Sequence, residues 1–515
     1  MTSENRPPID DRTHDPGLHL FLDDHEVASV TNLTPVSGRP RRRPEPVVRP
    51  DRAWEGDQIN AWGTVLRRPE DGVLQLWYST GYMAKDERIP VTLCYAESRD
   101  GIAWDKPDLG MWALGEHAAT NIVLMVDGDV SHVYGGESRA GLTAEQGGRY
   151  LGPDSPATGD LTHFDSPNVV IDPSEPDPER RYKLLTCAWR RGDSRHVHVL
   201  LTSPDGIRWT EPPTKVLEGI SDATCLRWDA INSRWLLACK RGQTNRHGLR
   251  VRTPHLTASP DLLHWSVPWK PFPLDEGDDY GSTMQAHFMN CFPYGNQHAG
   301  IYSSVSTREG WCQAYLLSSR DGTVWERPRR EEPWLARGDE GAFDEDQIDM
   351  AVNSPIFSGD DMLLYYTGRR TPADGKFGSL GVAVIKRDRF AGLGGGSAFS
   401  YGAGGGGLEL REGEVVTTPV TVSGKRLYLN ARSYYGYRWE AGLEMGGTVR
   451  VALLDGDGRE IDGFRLAACE PFYGDAVRHP VSWEGGGDLS LLQGQRVALR
   501  LAVNRATVYA YRFAD

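Results

Sequence analysis

The chain has 515 residues, with 57 basic and 71 acidic side chains and a formal charge of −14. That balance excludes a nucleic-acid or anionic-membrane partner, which needs a basic face, and favours a neutral polar ligand. Sixteen Trp and 20 Tyr describe a β-rich protein with aromatic edges of the kind that stack on sugar rings.

The first predicted element is a polar arm over residues 1–17, read as disordered. It has no apolar signal core, and no apolar run approaches the ~18 residues of a membrane span, so a cytoplasmic setting without a membrane partner is expected. The strand Leu18–Leu22 has no sheet of its own and is expected to close a ring by pairing with the last one, whereas Arg39–Arg43 reads as a solvated arm. Four copies of Ser-x-Asp-x-x-x-Trp then follow: Ser98/Asp100/Trp104, Ser203/Asp205/Trp209, Ser259/Asp261/Trp265 and Ser319/Asp321/Trp325, three with Gly after the Asp. Asp caps nearby amides and Gly accepts positive φ, so each copy predicts a tight turn whose Trp packs back onto its sheet.

Around each copy the same run of strands recurs. The first set is Thr64–Leu66, Leu74–Tyr78 and Thr92–Ala96. The second is Asn168–Ile171, Tyr182–Thr186 and Val197–Thr202, and the third Thr224–Trp228, Arg234–Cys239 and Leu249–Thr253. The fourth is His287–Phe292, Ala299–Tyr302 and Ala314–Leu317, and a fifth runs from Ser354–Phe357 through Leu363–Tyr366 to Leu380–Ile385, ending in a decayed motif. A period of ~50–60 residues predicts a five-bladed β-propeller over 18–391, with residues 127–161 as an insertion. A Gly-rich linker over 392–407 leads to short alternating runs and the hairpin turn Asp455–Gly458, predicted to be a β-sandwich over 408–515. The fold class expected is therefore all-β, a five-bladed propeller followed by a C-terminal sandwich.

Residues just before each innermost strand converge in such a ring. They are Trp54, Glu55, Asp57, Asn60 and Trp62 from the first blade, His163 and Asp165 from the second, and Asp222 from the third. The fourth gives Gln285 and His287, and the fifth gives Asp344 and Glu345 in the acidic run Phe343–Asp349. Carboxylates in one funnel are expected to repel one another, so that one stays protonated while another is ionised, the division that glycosidic cleavage needs. His196 and His198, two apart, read as a solvated strand face before a metal pair, and Arg190-Arg191 and Arg369-Arg370 as surface pairs. The seven cysteines lack metal-like spacing and read as small core residues. No cofactor signature, phosphate loop, GxSxG elbow or HExxH is present.

The stretches LFLDDHEV, PDRAWEG, CYAESRDGIAW, DPSEPDPERRYKLL, SPDGIRW, FDEDQIDM, LLYYTGRR and GEVVTTPVTVSG resemble the five-bladed propeller clan of glycoside hydrolases, families 32 and 43, with its invertases, levansucrases and arabinanases. The resemblance implies a glycosidase acting on a furanosidic or other small glycoside. It also implies an acid on each of the first three blades: Asp57 or Glu55 as nucleophile or base, Asp165 as the stabilising acid and Asp222 as proton donor. The clan's Asp-Pro-Asn-Gly and Arg-Asp-Pro motifs are absent and the third blade offers Asp in place of Glu, which leaves Asp344 or Glu345 as the alternative acid. A non-hydrolytic sugar-transforming enzyme and a carbohydrate-binding propeller that has lost catalysis stand as the other readings.

Overall fold

The computed structural model describes residues 13–56, 58–60, 63–80, 91–114, 116–126, 161–190, 195–210, 213–244, 248, 250–273, 284–306, 309–351, 355–371, 377–395, 412–438 and 443–515. Among these the regular structure is β-strand with a few single-turn 3₁₀ helices, and no helix is long and apolar enough to cross a membrane. The chain forms two compact units. One holds residues 40–293 and 298–384, the other 12–39, 294–297 and 385–515.

In the first unit, successive segments fold into antiparallel meanders. The first sheet runs Val65–Arg67, Leu74–Thr80, Val91–Ser98, Ile122–Val126, and the second Leu161–Ile171, Tyr182–Arg190, Val197–Ser203, Thr214–Glu218. The third is Cys225–Asp229, Arg234–Thr244, Arg250–Ser259. An eight-stranded sheet follows. Its first half is Met284–Tyr294, Gln297–Ser306 and Cys312–Ser319, and its second half is built on Gln347–Met350, Asp361–Arg370 and Phe377–Lys386. The halves meet through a single parallel pair, Cys312 with Gln347. Central strands are buried on both faces, as in Leu74–Thr80 and Gln297–Ser306, so they read as apolar or small-polar runs without alternation.

Consecutive sheets are tied at their first strands. Thr64 Oγ1 accepts from Val169 N at 2.9 Å, and Asn168 Oδ1 accepts from Leu226 N at 2.8 Å. Cys225 Sγ donates to Asn290 Oδ1 at 3.1 Å, Asn290 Nδ2 to Ala351 O at 3.1 Å, and Arg369 Nη2 to Asn60 Oδ1 at 2.5 Å. The last bond returns to the first sheet. Each tie fills a buried donor or acceptor that no ladder reaches.

The Ser-x-Asp-x-x-x-Trp copies form one repeated turn. In the first, Asp100 Oδ1 accepts from Ile102 N and Ala103 N, both at 2.8 Å, and Ser98 Oγ accepts from Gly101 N at 2.8 Å. Asp205, Asp261 and Asp321 cap their turns in the same way. In three copies the turn also docks on another sheet: Gly206 O accepts from Trp77 Nε1 of the first sheet at 2.6 Å, Gly322 O from Arg234 Nη2 of the third at 3.2 Å, and Gly101 O from Tyr365 Oη of the last at 2.9 Å. A Cβ at Gly206 would lie 2.5 Å from Trp77, and one at Gly101 2.4 Å from Tyr365 Oη, so glycine is required for approach as well as for its φ of +77° or +78°. Leu262 takes the same left-handed backbone at φ 67° and buries its side chain in the apolar cluster with Val170, Leu185 and Leu226.

The second unit contains two sheets around one apolar core that includes Leu427, Leu429, Val451, Trp483, Leu499, Leu501 and Phe513. Leu18–Leu20 pairs with Ala506–Ala514 in this unit, so it does not close the first unit's sheets. The N-terminal strand that joins the first unit's last sheet is Arg41–Arg42, against Ala383 and Val384; the segment expected to be a solvated arm is a sheet edge. Residues 1–12 of the expected disordered arm lie outside the described residues, but His14 and Asp15 are already hydrogen-bonded, to Gly295 O and Gly17 N. Of the expected linker, Ala391–Gly395 is a strand paired on both sides, and 396–407 lie outside the described residues. The insertion lies outside them too, up to residue 160.

Candidate active site

The strands that open the sheets bring together a set of polar side chains of the first unit. Asp165 lies on Leu161–Ile171, and Asp222 stands three residues before the start of Cys225–Asp229. Both acids are followed by a residue in the left-handed region, Ser166 at φ 51° and Ala223 at φ 55°. Ser166 Oγ donates to Asp165 Oδ1 at 3.1 Å and accepts from Ala223 N at 2.9 Å, so one hydroxyl joins the two strained turns. Non-glycine residues in that region cost of order 1–3 kcal/mol each and persist where their surroundings over-determine them, which is common at functional sites. The Cys187 thiol lies within electrostatic reach of both acids, and burial, followed by those two charges, pushes it well up.

Asp222 faces Lys240, whose Nζ sits 2.9 Å from Oδ1, and Ser221 Oγ donates to the same oxygen at 2.9 Å. Protein surrounds Asp222 on most sides, yet 35% of its side chain stays open to solvent, so it is desolvated without being sealed. Burial alone would raise its pKa; the Lys240 ammonium and the Ser221 hydroxyl outweigh it and bring it down to about 2. His287 lies within electrostatic reach of Asp222. Its Nδ1 is 2.5 Å from Asp349 Oδ1, and Arg369 Nη1 donates to Asp349 Oδ2 at 2.9 Å while also meeting Gln347 Oε1. Burial lowers the pKa of His287 against the pull of Asp349, so the imidazole is neutral near pH 7; with Nδ1–H on Asp349, Nε2 is left as the acceptor. Asp349 is buried and held well below the usual carboxylate range by His287 and Arg369, against the opposing effect of desolvation.

Cys312, His287 and Asp349 offer sulfur, nitrogen and oxygen within 4.8 Å of one another, the geometry of a metal trio. Their chemistry fits a hydrogen-bond network better. Cys312 Sγ donates to Asp349 Oδ1 at 3.5 Å, burial pushes this thiol well up, and Arg369 already supplies the positive charge that Asp349 needs.

Other expected residues are placed differently. Glu55 is sealed beneath the first sheet, its carboxylate accepting from Tyr78 Oη at 2.6 Å, from Asp51 N and Arg52 N, and from Lys106 Nζ at 2.8 Å. Trp54 donates Nε1 to Asn121 Oδ1 within the apolar core and presents no face for stacking on a sugar. Asp344 is buried with Arg42 and Tyr366 on its oxygens, and Glu345 caps the Gly341 amide. Each of the three carboxylates thus accepts from neighbouring groups of the protein. Asn60 and His287 meet at one remove, through Arg369 and Asp349, and Gln285 holds Arg252 Nε at 3.0 Å. His163 stacks edge-on with Trp189 at 4.9 Å, and burial takes its pKa down to about 4. Asp57 and Trp62 lie outside the described residues.

For four of the carboxylates the expectation of mutual repulsion is corrected: Asp222, Asp344, Asp349 and Glu55 each meet a cation, Lys240, Arg42, Arg369 and Lys106, the last shared with Asp51. His198 is likewise no solvated residue, being fully buried with a pKa near 3, and Arg369 is 3% exposed. Sequence reasoning missed Lys240, Arg369 and Asp349. A lysine closing the apolar run Trp235–Cys239 and an arginine ending Leu363–Tyr366 were the available signals.

No protein-family model matches the chain, and no curated protein matches it in sequence. Solved structures similar to it include glycoside hydrolases. An N-acetylgalactosamine deacetylase from F. plautii in complex with blood group B trisaccharide is 14% identical, with 69% of this chain and 96% of that one covered and a TM-score of 0.44. A glycosyl hydrolase from Bacteroides ovatus is 14% identical over 71% of this chain and 98% of its own, TM-score 0.44. A thermostable family-43 glycoside hydrolase is 11% identical over 67% and 92%, TM-score 0.41.

Proposed function

We propose that the first unit is a five-bladed β-propeller, that the second is a β-sandwich, and that the site around Asp165, Asp222 and His287 is the active site of an enzyme that cleaves a small glycoside. Five successive meanders and the chain of ties that returns from Arg369 to Asn60 support the ring. The observation that carries the activity is the joined pair of turns Asp165-Ser166 and Asp222-Ala223, in which the Ser166 hydroxyl bonds Asp165 and the Ala223 amide and so links the two acid-bearing segments of neighbouring sheets. Glycoside cleavage needs a pair of carboxyl groups. Asp222, ionised beside Lys240, is the nucleophile or water-activating base, and Asp165 is the proton donor. His287, oriented by Asp349, lines the same site and helps to place the sugar.

The test is turnover of a panel of aryl furanosides and pyranosides by the full chain, by Asp165→Asn and by Asp222→Asn. Each variant is expected to lose about 10²–10⁴-fold in kcat with thermal stability within a few degrees of the parent. Full activity in both variants refutes the assignment.

A second reading is favoured by the neutral imidazole of His287: an imidazole that burial keeps unprotonated beside the carboxylate of Asp349 suits a non-hydrolytic sugar transformation that begins by abstracting a proton. It predicts activity that holds at neutral and higher pH and falls as pH drops through the lowered pKa of His287, and products of unchanged mass or an unsaturated sugar in place of a hydrolysed one.

A further inference from the structure

The third sheet's hairpin runs past its inner neighbour. Cys225–Asp229 pairs only with Arg234 to Ala238, whereas the ladder between the hairpin strands continues to Thr244 opposite Arg250. By strand alternation, Lys240, Gly242 and Thr244 share one face of this extension with their partners Pro254, Arg252 and Arg250. Lys240 at its base holds Asp222. Arg252, one step further, donates Nε to Gln285 Oε1 at 3.0 Å, and Gln285 is two residues from His287 and on the same face of its strand. Arg252 is also close enough for its charge to act on the Cys312 thiol, which touches both His287 and Asp349. Gly242, opposite Arg252, has no side chain, and the Arg250 guanidinium folds across it, with Nε 3.0 Å from where a Cβ would stand.

The charge pattern is uneven. Lys106, Lys240, Arg42 and Arg369 each meet a carboxylate, but among the described residues Arg250 and Arg252 have no carboxylate within ion-pair distance, in a chain whose formal charge is −14. Two neighbouring guanidinia repel each other, and a planar fork matches a carboxylate or sulfate in two-point fashion. Gln285 occupies the Nε of Arg252 and leaves its terminal nitrogens directed elsewhere.

We propose that the substrate is an acidic sugar, a saccharide bearing a carboxylate or sulfate ester, whose anionic group is held by Arg252 together with Arg250. This rests on the reading of the site as carbohydrate-binding, and it replaces the neutral ligand expected from net charge: the global charge is acidic and the local field at the site is not.

Calorimetric titration of the full chain with methyl glucuronide, methyl glucoside and a glucose sulfate ester tests it. The acidic ligand is expected to bind at least tenfold more tightly than the neutral one at low salt, with the gap closing near 1 M salt, where the Debye length is about 3 Å. The uronide and sulfate arms separate the two sources of charge. Arg252→Gln is expected to cut the acidic-to-neutral ratio about tenfold and Arg252→Lys to restore part of it. The salt dependence of the unaltered chain carries the test if a variant fails to fold. No preference for either acid, or a ratio that Arg252→Gln leaves unchanged, overturns the proposal. Acid-selective binding without turnover of any glycoside upholds acid recognition and sinks glycoside cleavage; turnover confined to neutral glycosides does the reverse.

Discussion

At the scale of the residue, the chemistry of this protein depends on which charged groups find partners. His198 is fully buried, and neither ring nitrogen has a hydrogen-bond partner among the described residues, so desolvation dominates and takes its pKa down to about 3. The folded state therefore resists protonating it, while the unfolded chain accepts the proton near pH 6.5. Stability from this residue is complete above about pH 6.5 and is lost as pH falls toward 3, amounting to about 2 kcal/mol by pH 5. Replacing His198 with Phe is expected to flatten the stability profile between pH 6.5 and 4 in denaturant titrations; an unchanged slope would assign the acid sensitivity elsewhere. The same physics limits what can be read from sequence. The acidic run Phe343–Asp349 is visible in the chain, but Asp344 and Asp349 are told apart by the partners that reach them, Arg42 and Tyr366 for the one and Arg369, His287 and Cys312 for the other. A pairing 302 residues apart leaves no local mark. The segment was legible and the residue was not.

Elements were the most legible level, because a turn and an apolar run are properties of neighbouring residues. The four motif copies predicted four turns, and each carries the same Asp cap. The docking of three of them on another sheet was not legible, since nothing in Ser203–Trp209 names Trp77 as the neighbour. That docking gives the motif glycine a second duty. Gly206→Ala must be strained at φ +77° and must move Trp77, and it is expected to destabilise the chain by about 2–3 kcal/mol. Asp205→Ala, which uncaps two amides and removes the acceptor of Ser203 Oγ and of the exposed Arg208 guanidinium, is expected to cost about 1–2 kcal/mol. Thermal or urea unfolding of the two variants checks the order; equal costs would mean that the turn does not join sheets. The strand Leu18–Leu20 was misassigned for the converse reason. Its apolar run announces a strand, but its partner, Ala506–Ala514, lies at the far end of the sequence.

At the scale of the whole molecule, the two units carry different acid sensitivities. In the second, Glu26 is buried with His19 at 3.2 Å, Asn296 at 3.0 Å and Tyr511 at 2.8 Å. Burial would raise its pKa; these partners overcome that and bring it to about 2. A depressed carboxylate stabilises above its unfolded value, so this contribution is complete above about pH 4.5 and is lost as pH falls toward 2, on the order of 3 kcal/mol in all. Glu26→Gln is expected to remove that dependence, measured by thermal melts between pH 5 and 2.5, and a parallel profile in the variant would exclude Glu26 as its source. The function proposed for the first unit rests on sheets distant in sequence delivering Asp165, Asp222 and His287 to one place. The most direct measurement is a crystal structure of the Asp222→Asn variant soaked with a small saccharide. A sugar ring seated beside Asp165, position 222 and His287 is the predicted result; saccharide density seated away from all three would contradict it.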